Sequence, residues 1–380
     1  MKIRSDKKIP FLASLKLKLV FGWLNTCNAI LSAVEKSLFS KQSAPQRILI
    51  FRTGSLGDNI CAIPSVAAIR KHYPDSKLDI LVNSGASNLV SLEQLLDPSC
   101  YDEIINYLGK PRKEVIKILR ARNYDLVIQL PQTGSYFTRL FRDILFFRLI
   151  SKGGFGWRLS IVPFFKRCQE NYVCFDNETH RLAKLLDRYR IKVDESQYLL
   201  NITKDDEIKV GETFSELVNN QMDCLAVVVG AKRPQNRWPI ENFNEVIRAF
   251  STQYNILLIG GPEDKALTSH LQNGKNIHNF CGLLSPLQSA ALIKRCKLVL
   301  SNDTGPMHLS YAVNTPVIAI FSSRDFPGKW FPPESKKNIV NRSYGIPCSL
   351  CLSESCTNNI CMQQIKPSLI ITQMKALLSP

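Results

Sequence analysis

The most constraining feature of the sequence is a buried strand followed by a turn and a helix, a pattern that begins twice along the chain. The first run starts with the apolar segment Ile48–Phe51, turns at Thr53–Asp58 and continues as a helix predicted over residues 59–73. The second run starts with Leu225–Val229 and continues through Asn255–Gly261. Continuous apolar segments that alternate with helices predict a parallel sheet covered by helices on both faces.

Two such runs predict an α/β protein with two Rossmann-like domains, since 380 residues exceed what one core usually serves. We assign residues 46–200 to an N-terminal domain and residues 205–345 to a C-terminal domain. Residues 346–380 form a Cys-rich segment with a C-terminal helix. In open α/β sheets ligands lie beyond the carboxyl ends of the strands. We therefore expect the two sheets to face each other across one cleft.

Residues 1–45 form a leader outside both domains, and nine of the first 50 residues are Lys or Arg. Apolar residues recur in it at steps of three or four, which predicts an amphipathic helix. This apolar stripe consists of Leu12, Leu15, Leu19, Trp23, Cys27, Ile30, Val34 and Leu38. An apolar stripe with basic flanks is typical of a helix on an anionic membrane surface. Packing of the stripe on the protein's own core is the alternative, and both stay open.

The start of the chain also bears on localisation. Lys16 and Lys18 interrupt the apolar residues, and no small-residue cleavage site is evident, so a cleavable signal peptide is not expected. The longest uncharged stretch there, Leu19–Val34, is shorter than a spanning helix requires. We expect a cytoplasmic protein that is peripheral to the inner face of the cytoplasmic membrane.

The net charge of +17 favours polyanionic partners such as anionic lipid or phosphorylated substrates. Nucleic acid is not expected, because the charge is not joined to a recognised nucleic-acid motif. Residues 136–150 predict a helix in which Arg139, Arg142 and Arg148 lie among phenylalanines. Such a helix suits a lipid headgroup zone or a phosphorylated acceptor, and it is also compatible with an ordinary amphipathic helix.

The first candidate site is the turn that contains Gly54, Ser55, Gly57 and Asp58. The glycines let a strand-to-helix turn run tightly and let a ligand approach the backbone. Asp58 follows a strand end, where its carboxylate can act as a general base toward an acceptor hydroxyl. Asp is also a preferred helix-capping residue, so a purely structural role stays open.

The second candidate site contains Asp303, Thr304, Gly305 and His308, which follow another buried strand. Thr304 and Gly305 offer a hydroxyl and backbone N–H groups at the positive end of a helix, an arrangement that suits a diphosphate. His308 follows Thr304 by four residues, so one helical turn puts both on the same face. Asp303 is a candidate for capping the helix or for binding a sugar hydroxyl.

The third candidate site is the loop that carries Lys232, Arg233, Asn236 and Arg237 after the first strand of the second run. Three cations in one loop suit the charge of a leaving nucleoside diphosphate, although a solvated basic loop is also compatible with this pattern. Glu263 follows the next strand and is a candidate for accepting hydrogen bonds from ribose hydroxyls.

The last cluster is Cys348, Cys351, Cys356 and Cys361. Closely spaced thiols can bind zinc or an iron–sulfur cluster, but this spacing matches no standard ribbon or ferredoxin. A metal site here is the minority interpretation, and we expect no metal in the reaction. No cofactor is expected either.

Several of these segments, in this order, resemble glycosyltransferase family 9, the ADP-heptose:lipopolysaccharide heptosyltransferases. The resemblance covers about residues 46–370. It is carried by Ile48–Arg52 with Ser55–Asp58 and Pro64, by Trp238-Pro239 with Phe243, by Ser301–His308 with Thr315-Pro316, by Ser323–Asp325 with Trp330 and Pro332, and by the C-terminal Cys-x2-Cys and Cys-Met-x2-Ile segments.

The resemblance implies a GT-B fold and an inverting transfer that needs no metal. By this resemblance Asp58 matches the family's base, while Asp303, Thr304, Gly305 and His308 match its donor-binding loop. The family usually has a Lys two residues before the Trp-Pro pair, where this chain has Asn236. Arg237, Lys232 or Arg233 then takes over the diphosphate, or the donor differs from ADP-heptose.

We therefore expect a glycosyltransferase that moves a heptose or related sugar from a nucleotide-diphosphate sugar to lipopolysaccharide or another lipid-linked glycan. One alternative is another nucleotide-sugar enzyme of the same fold, such as an epimerase. The other is a catalytically silent, membrane-associated scaffold that keeps the nucleotide site.

Overall fold

A computed structural model describes residues 2–3, 9–83, 90–160, 173–218, 221–271 and 273–379. The described residues fall into two units. The N-terminal unit comprises those within Ser5–Cys168 and Glu178–Asn201, and the C-terminal unit comprises those within Met1–Arg4, Gln169–Asn177 and Ile202–Pro380.

The strands are β1 (Lys2–Ile3), β2 (Arg47–Phe51), β3 (Lys77–Val82), β4 (Glu103–Asn106), β5 (Leu126–Gln129), β6 (Gly153–Phe155), β7 (Val173–Cys174), β8 (Cys224–Val228), β9 (Asn255–Leu258), β10 (Ile277–Asn279), β11 (Leu298–Asn302), β12 (Val317–Phe321) and β13 (Asn338–Arg342). The helices are α1 (Phe11–Leu38), α2 (Leu56–His72), α3 (Arg112–Arg120), α4 (Phe137–Arg148), α5 (Glu178–Asp187), α6 (Lys204–Leu217), α7 (Ile240–Phe250), α8 (Lys265–Thr268), α9 (Pro286–Lys294), α10 (Gly305–Ala312), α11 (Ile360–Gln363) and α12 (Pro367–Leu378).

A parallel sheet with the order β4-β3-β2-β5-β6 organises the N-terminal unit. Its central strands are apolar because both faces are covered: Ile48, Leu49 and Ile50 in β2 are fully buried. The chain order reverses between β2 and β5, so the loops after these strands diverge to opposite faces of the sheet.

A second parallel sheet, β10-β9-β8-β11-β12-β13, organises the C-terminal unit. Every residue of β8, β11 and β12 is buried. Here the order reverses between β8 and β11. The predicted α/β class with two Rossmann-like units is confirmed, whereas the predicted facing of the two units stays a prediction.

The C-terminal segment is part of the core of the C-terminal unit. Met362, Ile370 and Met374 are buried in the same apolar cluster as Trp238 and Phe243. The indole Nε1 of Trp238 donates to the carbonyl of Ile365 at 3.0 Å. The Trp-Pro pair after β8 is thereby joined to the chain's last helices, and α12 packs against α7.

The leader forms α1, a helix of 28 residues whose predicted apolar stripe is mostly exposed. Leu12, Leu19 and Trp23 are 69%, 67% and 53% exposed, whereas Cys27 in the same stripe is buried. The helix instead buries the neighbouring apolar positions, namely Ala13, Leu17, Val20, Leu24 and Leu31. In the first half of the helix, the predicted stripe therefore does not pack on the protein's own core.

Polar contacts select which face of α1 is buried. Asn28 donates to the Leu159 carbonyl at 3.0 Å and accepts from the Leu159 N–H at 2.9 Å. Glu35 accepts from the hydroxyl of Tyr189 at 2.7 Å and from the N–H of Gly156. These hydrogen bonds satisfy the buried polar groups of α1 and join this face of the helix to Gly156, Leu159 and Tyr189.

The length and apolar composition of α1 are also sufficient for a membrane span, unlike the shorter uncharged stretch considered in the sequence. A third of its most apolar window is buried in the protein. Together with the buried contacts of Asn28 and Glu35, this favours a helix held at the surface of the N-terminal unit.

Candidate functional site

The predicted site residues follow the strands at which each sheet reverses its order, which is where open α/β sheets bind ligands. In the N-terminal unit Asp58 follows β2, and in the C-terminal unit Asp303 follows β11. The loop of Lys232 to Arg237 follows β8, the neighbour of β11. The second and third candidate sites are thus adjacent parts of one strand-end site.

Asp58 lies in the first turn of α2 and closes a capping box with Ser55. Its Oδ2 accepts from the Ser55 N–H at 2.9 Å and from the Ser55 hydroxyl at 2.7 Å. The helix begins three residues earlier than predicted, so Ser55 is the N-cap, and Asp58 closes the capping box from the third helical position with one carboxylate oxygen. The Asp58 side chain is 16% exposed, and its Oδ1 lies 3.8 Å from Arg52 Nη2.

Position 54 requires a glycine because the Asp58 side chain occupies the space that a Cβ atom would fill. A Cβ added to Gly54 would lie 2.3 Å from the Cβ of Asp58. Asn59 closes the turn from the other side by donating to the carbonyls of Gly54 at 3.3 Å and Val90 at 2.8 Å. The turn is therefore held at both ends, which fixes the direction of the Asp58 side chain.

A buried Arg–Glu pair lies directly beneath Asp58 and was missed in the sequence analysis. Arg52 is 1% exposed, and its Nη2 donates to the Asp58 carbonyl at 2.7 Å. Both Nη atoms contact Glu178 Oε1 at 3.3 Å, across 126 residues of sequence. No motif marks Glu178, because its role arises only where α5 packs against α2.

Glu178 is ionised in spite of complete burial. Burial alone would raise the pKa of its carboxyl, but the charge and paired hydrogen bonds of Arg181, the charge of Arg52 and a hydrogen bond from Thr133 outweigh it. The pKa of Glu178 therefore lies below its ordinary value. Arg181 holds both carboxylate oxygens, with Nε and Nη2 each at 2.7 Å.

In the C-terminal unit, Asn302 joins the two strands at the reversal. Its Nδ2 donates to the carbonyl of Val229 at 2.7 Å, and its Oδ1 accepts from the N–H of Trp238 at 3.0 Å. Because Asn302 is fully buried, these bonds hold both ends of the basic loop against β11. This loop therefore has a defined position beside Asp303.

Asn236, the residue that departs from the family's usual Lys, is part of a hydrogen-bonded chain. Its Nδ2 donates to Asp303 Oδ2 at 3.0 Å, and its Oδ1 accepts from the hydroxyl of Ser322 at 2.7 Å. Asn236 is buried, and both ends of its amide are engaged. It fixes the orientation of Asp303 and adds no charge to the site.

Two carboxyl groups near this chain have pKa values displaced in opposite directions. Burial and the negative charge of Asp325 raise the pKa of Asp303 to about 7. For Asp325, burial is outweighed by Lys329, whose Nζ lies 3.3 Å from Oδ2, and by the N–H of Phe326, so its pKa is lowered. Asp303 is thus partly protonated at neutral pH and Asp325 is ionised.

The start of α10 has the geometry predicted for it. Thr304 precedes the helix in an extended conformation, and Pro306 occupies the first turn. The Thr304 side chain makes no capping hydrogen bond, so its hydroxyl does not compete for the helix N–H groups. Thr304 and Gly305 are half-buried. A helix start of this kind attracts anions.

His308 is buried, and its Nδ1 lies 2.7 Å from the hydroxyl of Tyr311. Its ring also meets the ring of Trp330 edge-on, with centroids 6.3 Å apart. Burial and these contacts hold the imidazole in one orientation within α10.

Two of the three cations of the basic loop contact other protein groups, and the third is exposed. Arg237 Nε donates to the carbonyl of Ala231 at 3.0 Å, within the loop itself. Arg233 lies 3.4 Å from Glu354, which also pairs with Arg324 at 3.1 Å. Lys232 is exposed. The charge that the sequence predicted is present, and part of it is balanced by an acid from the Cys-rich segment.

Two acids follow β9: Asp264 is buried, and the candidate ribose-binding residue Glu263 is exposed. Asp264 accepts from the N–H of Gly261 at 3.0 Å, and Cβ atoms added at Gly230 or Gly260 would collide with its carboxylate. Burial raises its pKa. Glu263 is exposed beside it, so it remains available to a ligand.

The C-terminal cysteines lie near one another without forming a ligand cluster. Cys361 is buried, and burial together with the neighbouring Cys348, Cys356 and Cys351 contributes to its raised pKa. Cys348 and Cys356 are exposed. Among the residues that the structure describes, no group of three or more His, Cys, Asp or Glu side chains is arranged to hold a metal ion.

Comparison with known proteins identifies a family. The model of glycosyltransferase family 9 (heptosyltransferase) matches residues 112–361. Lipopolysaccharide heptosyltransferase 3 of Escherichia coli K12 is 26% identical over 297 residues, which cover 71% of this chain and 80% of that protein.

Solved structures share the fold. A glycosyltransferase family 9 protein from Veillonella parvula superposes with a TM-score of 0.67 at 20% identity, over 88% of this chain and 97% of its own. An E. coli heptosyltransferase in complex with ADP-2-deoxy-2-fluoro heptose superposes with a TM-score of 0.56 at 20% identity, over 87% and 99%. The expected GT-B class of α/β fold is confirmed.

Proposed function

Since the chain belongs to glycosyltransferase family 9 and is therefore a glycosyltransferase, we propose that it transfers a heptose or a related sugar to lipopolysaccharide or another lipid-linked glycan. The names of its relatives, which are lipopolysaccharide heptosyltransferases, support this acceptor. The related enzyme solved with an ADP-heptose analogue supports a nucleotide-diphosphate sugar as donor.

Asp58 is the proposed general base. This assignment rests on the different environments of its two carboxylate oxygens. Ser55 holds Oδ2 with two hydrogen bonds and does not engage Oδ1, and the side chain as a whole is 16% exposed beyond the carboxyl end of β2. A base needs a fixed direction and an oxygen within reach of the proton it removes. The bonds from Ser55 supply the fixed direction, and Oδ1 is the oxygen that we propose accepts the proton.

The donor is assigned to the C-terminal unit. The diphosphate is stabilised by the start of α10 at Thr304 and Gly305 and by Lys232, Arg233 and Arg237. Asp303, oriented by Asn236, accepts a hydrogen bond from a sugar hydroxyl, and His308 supports the same loop. Glu263 accepts from the ribose hydroxyls.

The reaction is an inverting displacement that uses no metal. Asp58 removes the proton of the acceptor hydroxyl, and the oxygen attacks the anomeric carbon from the face opposite the diphosphate. The bond between the anomeric carbon and the diphosphate breaks, and the nucleoside diphosphate leaves with its charge balanced by the basic loop and the helix start.

Replacement of Asp58 by Asn tests the proposal. We expect kcat to fall by at least about 1,000-fold while the Kd for ADP stays unchanged, because only the proton acceptor is lost. Asp206→Asn is a matched control, since Asp206 closes the same kind of capping box with Thr203 at the start of α6. Turnover of Asp58→Asn near that of Asp206→Asn would remove Asp58 from the role of base. A product formed from donor alone would indicate an epimerase instead.

We further propose that the protein binds the anionic inner face of the cytoplasmic membrane through α1. Its exposed side carries Phe11, Leu12, Leu19 and Trp23, with Phe11 82% exposed. Lys16 and Lys18 are exposed on the same helix. Apolar side chains that insert at the headgroup boundary, flanked by cations, are typical of interfacial helices.

Vesicle sedimentation tests this surface. We expect binding to vesicles with about a third phosphatidylglycerol, weaker binding to pure phosphatidylcholine, and a loss of at least about tenfold for the triple change of Leu12, Leu19 and Trp23 to Gln. Ile208→Gln, which alters an exposed apolar residue of the C-terminal unit, is the control. Equal binding of the triple variant and the wild type would contradict the proposal.

A further inference from the structure

The N-terminal unit holds a buried charge cluster that the proposed reaction does not yet use. Arg52 and Arg181 bring two positive charges, and Glu178 and Asp58 bring two negative ones. Arg52 and Glu178 have no exposed side-chain surface. Burying ionised groups costs several kcal/mol per ion unless they are well paired, so a cluster of this kind is costly as a purely structural device.

The hydrogen bonds of Arg52 converge on the loops that follow β2 and β5. Nη1 donates to the carbonyls of Leu130 and Pro131, both at 3.2 Å, and Nη2 donates to the carbonyl of Asp58 at 2.7 Å. One guanidinium therefore fixes the backbone of the proposed base relative to the loop on the other side of the strand reversal.

The charge of Arg52 also acts on the Asp58 side chain directly. Nη2 lies 3.8 Å from Asp58 Oδ1, the oxygen that Ser55 leaves free. Because both groups are largely withdrawn from water, screening of this attraction is weak. This attraction favours one direction for Oδ1, toward the Arg52 guanidinium.

Glu178 keeps Arg52 in place. It contacts both Nη atoms at 3.3 Å, and it is itself held by two hydrogen bonds from Arg181 and one from Thr133. Thr133 belongs to the loop after β5, so the network returns to the same strand reversal. With this partner, Arg52 has one orientation that satisfies its contacts.

We propose that Arg52 is a positioning residue for the reaction, which holds the backbone and the side chain of Asp58 in one orientation, and that Glu178 fixes Arg52 for this task. The inference rests on the proposed role of Asp58 as base. Arg52 itself does not contact the substrates.

Arg47 provides a matched control. It is the first residue of β2, whereas Arg52 directly follows the strand, and it also pairs with a fully buried acid, with Nη2 2.8 Å from Asp79 Oδ2. Arg47→Met and Arg52→Met therefore remove the same side chain at the start of β2 and directly after its end, and of the two only Arg52 contacts Asp58. Loss of sheet stability alone would affect the two variants alike.

The experiment measures kcat, both KM values and the Kd for ADP for wild type, Arg52→Met, Arg52→Lys and Arg47→Met. For Arg52→Met we expect kcat to fall by about 10- to 100-fold with an unchanged Kd for ADP, since small misplacements of catalytic groups have effects of this size.

Arg52→Lys separates charge from geometry. Its ammonium keeps the charge but cannot bond both loops as the planar guanidinium does. We expect a kcat between those of Arg52→Met and wild type, because the charge beside Asp58 is kept while the hydrogen bonds to both loops are not. If Arg52→Met does not fold, Arg52→Lys together with Thr133→Val, which removes one hydrogen bond from Glu178, provides the comparison.

The outcomes distinguish the inference from the proposed function. Wild-type kcat in Arg52→Met, or in both milder variants, would overturn the inference. An inactive Asp58→Asn would then still support Asp58 as the base. The same losses in Arg47→Met would also overturn it. Full turnover of Asp58→Asn would instead end the proposed function and the inference with it.

Discussion

At the strand reversal of its sheet, each unit has an acidic side chain, and the pKa values of the two acids are displaced in opposite directions. At the strand reversal of the N-terminal unit, a buried acid, Glu178, is surrounded by two arginines, and its pKa is lowered. At the reversal of the C-terminal unit, Asp303 is paired with the neutral amide of Asn236, and its pKa is raised to about 7. Each joins the loops of two diverging strands.

In both units the acid lies at the strand reversal of the sheet. The neighbouring side chains then determine whether that acid is ionised. The N-terminal reversal carries its own cations, Arg52 and Arg181, which hold Glu178 ionised. Among the residues that the structure describes, no arginine is hydrogen-bonded to Asp303 at the C-terminal reversal, and this carboxyl group is partly protonated at neutral pH. The proposed division into a base side and a diphosphate side follows this contrast.

The largest expected effect comes from breaking the N-terminal pair. Glu178→Gln leaves Arg52 and Arg181 buried without their counter-charge, so we expect a loss of about 3–5 kcal/mol in the free energy of unfolding. Because the pKa of Glu178 is lower in the folded state than in the unfolded state, its charge stabilises the fold at pH values above the ordinary Glu pKa. This stabilisation is lost as the pH falls below about 4. Urea unfolding at several pH values measures it. Glu114→Gln, in an exposed pair with Lys110, should change stability by less than about 1 kcal/mol.

The C-terminal acid should show the opposite pH dependence. Because the pKa of Asp303 is raised to about 7, the folded state holds a proton that the unfolded state releases. Wild type should therefore lose stability relative to Asp303→Asn as the pH rises from about 4 to 7, by roughly 2–4 kcal/mol at most. Paired urea titrations across this range test the sign. A difference independent of pH would contradict the partly protonated state of Asp303.

Gly54→Ala tests the geometry of the N-terminal turn. The new Cβ would press on the Cβ of Asp58, so we expect a loss of about 1–3 kcal/mol in stability together with reduced kcat. Gly211→Ala in α6 meets no neighbouring atom and should stabilise the protein by about 0.5–1 kcal/mol. Wild-type kcat in a folded Gly54→Ala protein would show that the Asp58 direction matters less than proposed.

The smallest expected effect comes from adding a cation beside the acid of the C-terminal reversal, as the N-terminal reversal already has. Asn236→Lys adds a cation beside Asp303, and we expect about tenfold tighter binding of ADP, or about 1.4 kcal/mol, by calorimetry. Gln253→Lys adds the same charge at an exposed position of the same unit and controls for net charge. Equal ADP affinities in the two variants would indicate that the diphosphate does not reach Asn236.

Much of the fold was predictable because its signals are local. The strand Ile48–Phe51, the turn to Asp58 and the helix after Thr304 follow from apolar runs, glycines and capping residues. The positions of Asp58 and Asp303 at strand ends follow from the same signals. The burial of individual side chains was less predictable: Asp264 after β9 is buried, and of the two alternatives for the α1 stripe, exposure applies to its first half.

The sequence by itself determined the two α/β runs and the turns that carry Asp58 and Asp303, because strand, helix and turn preferences act over neighbouring residues. Only the tertiary structure decided the partners of the buried charges. Arg52 meets Glu178 from 126 residues away, and Asn236 meets Asp303 from 67 residues away. Such contacts depend on which strands lie side by side, and no local pattern records this.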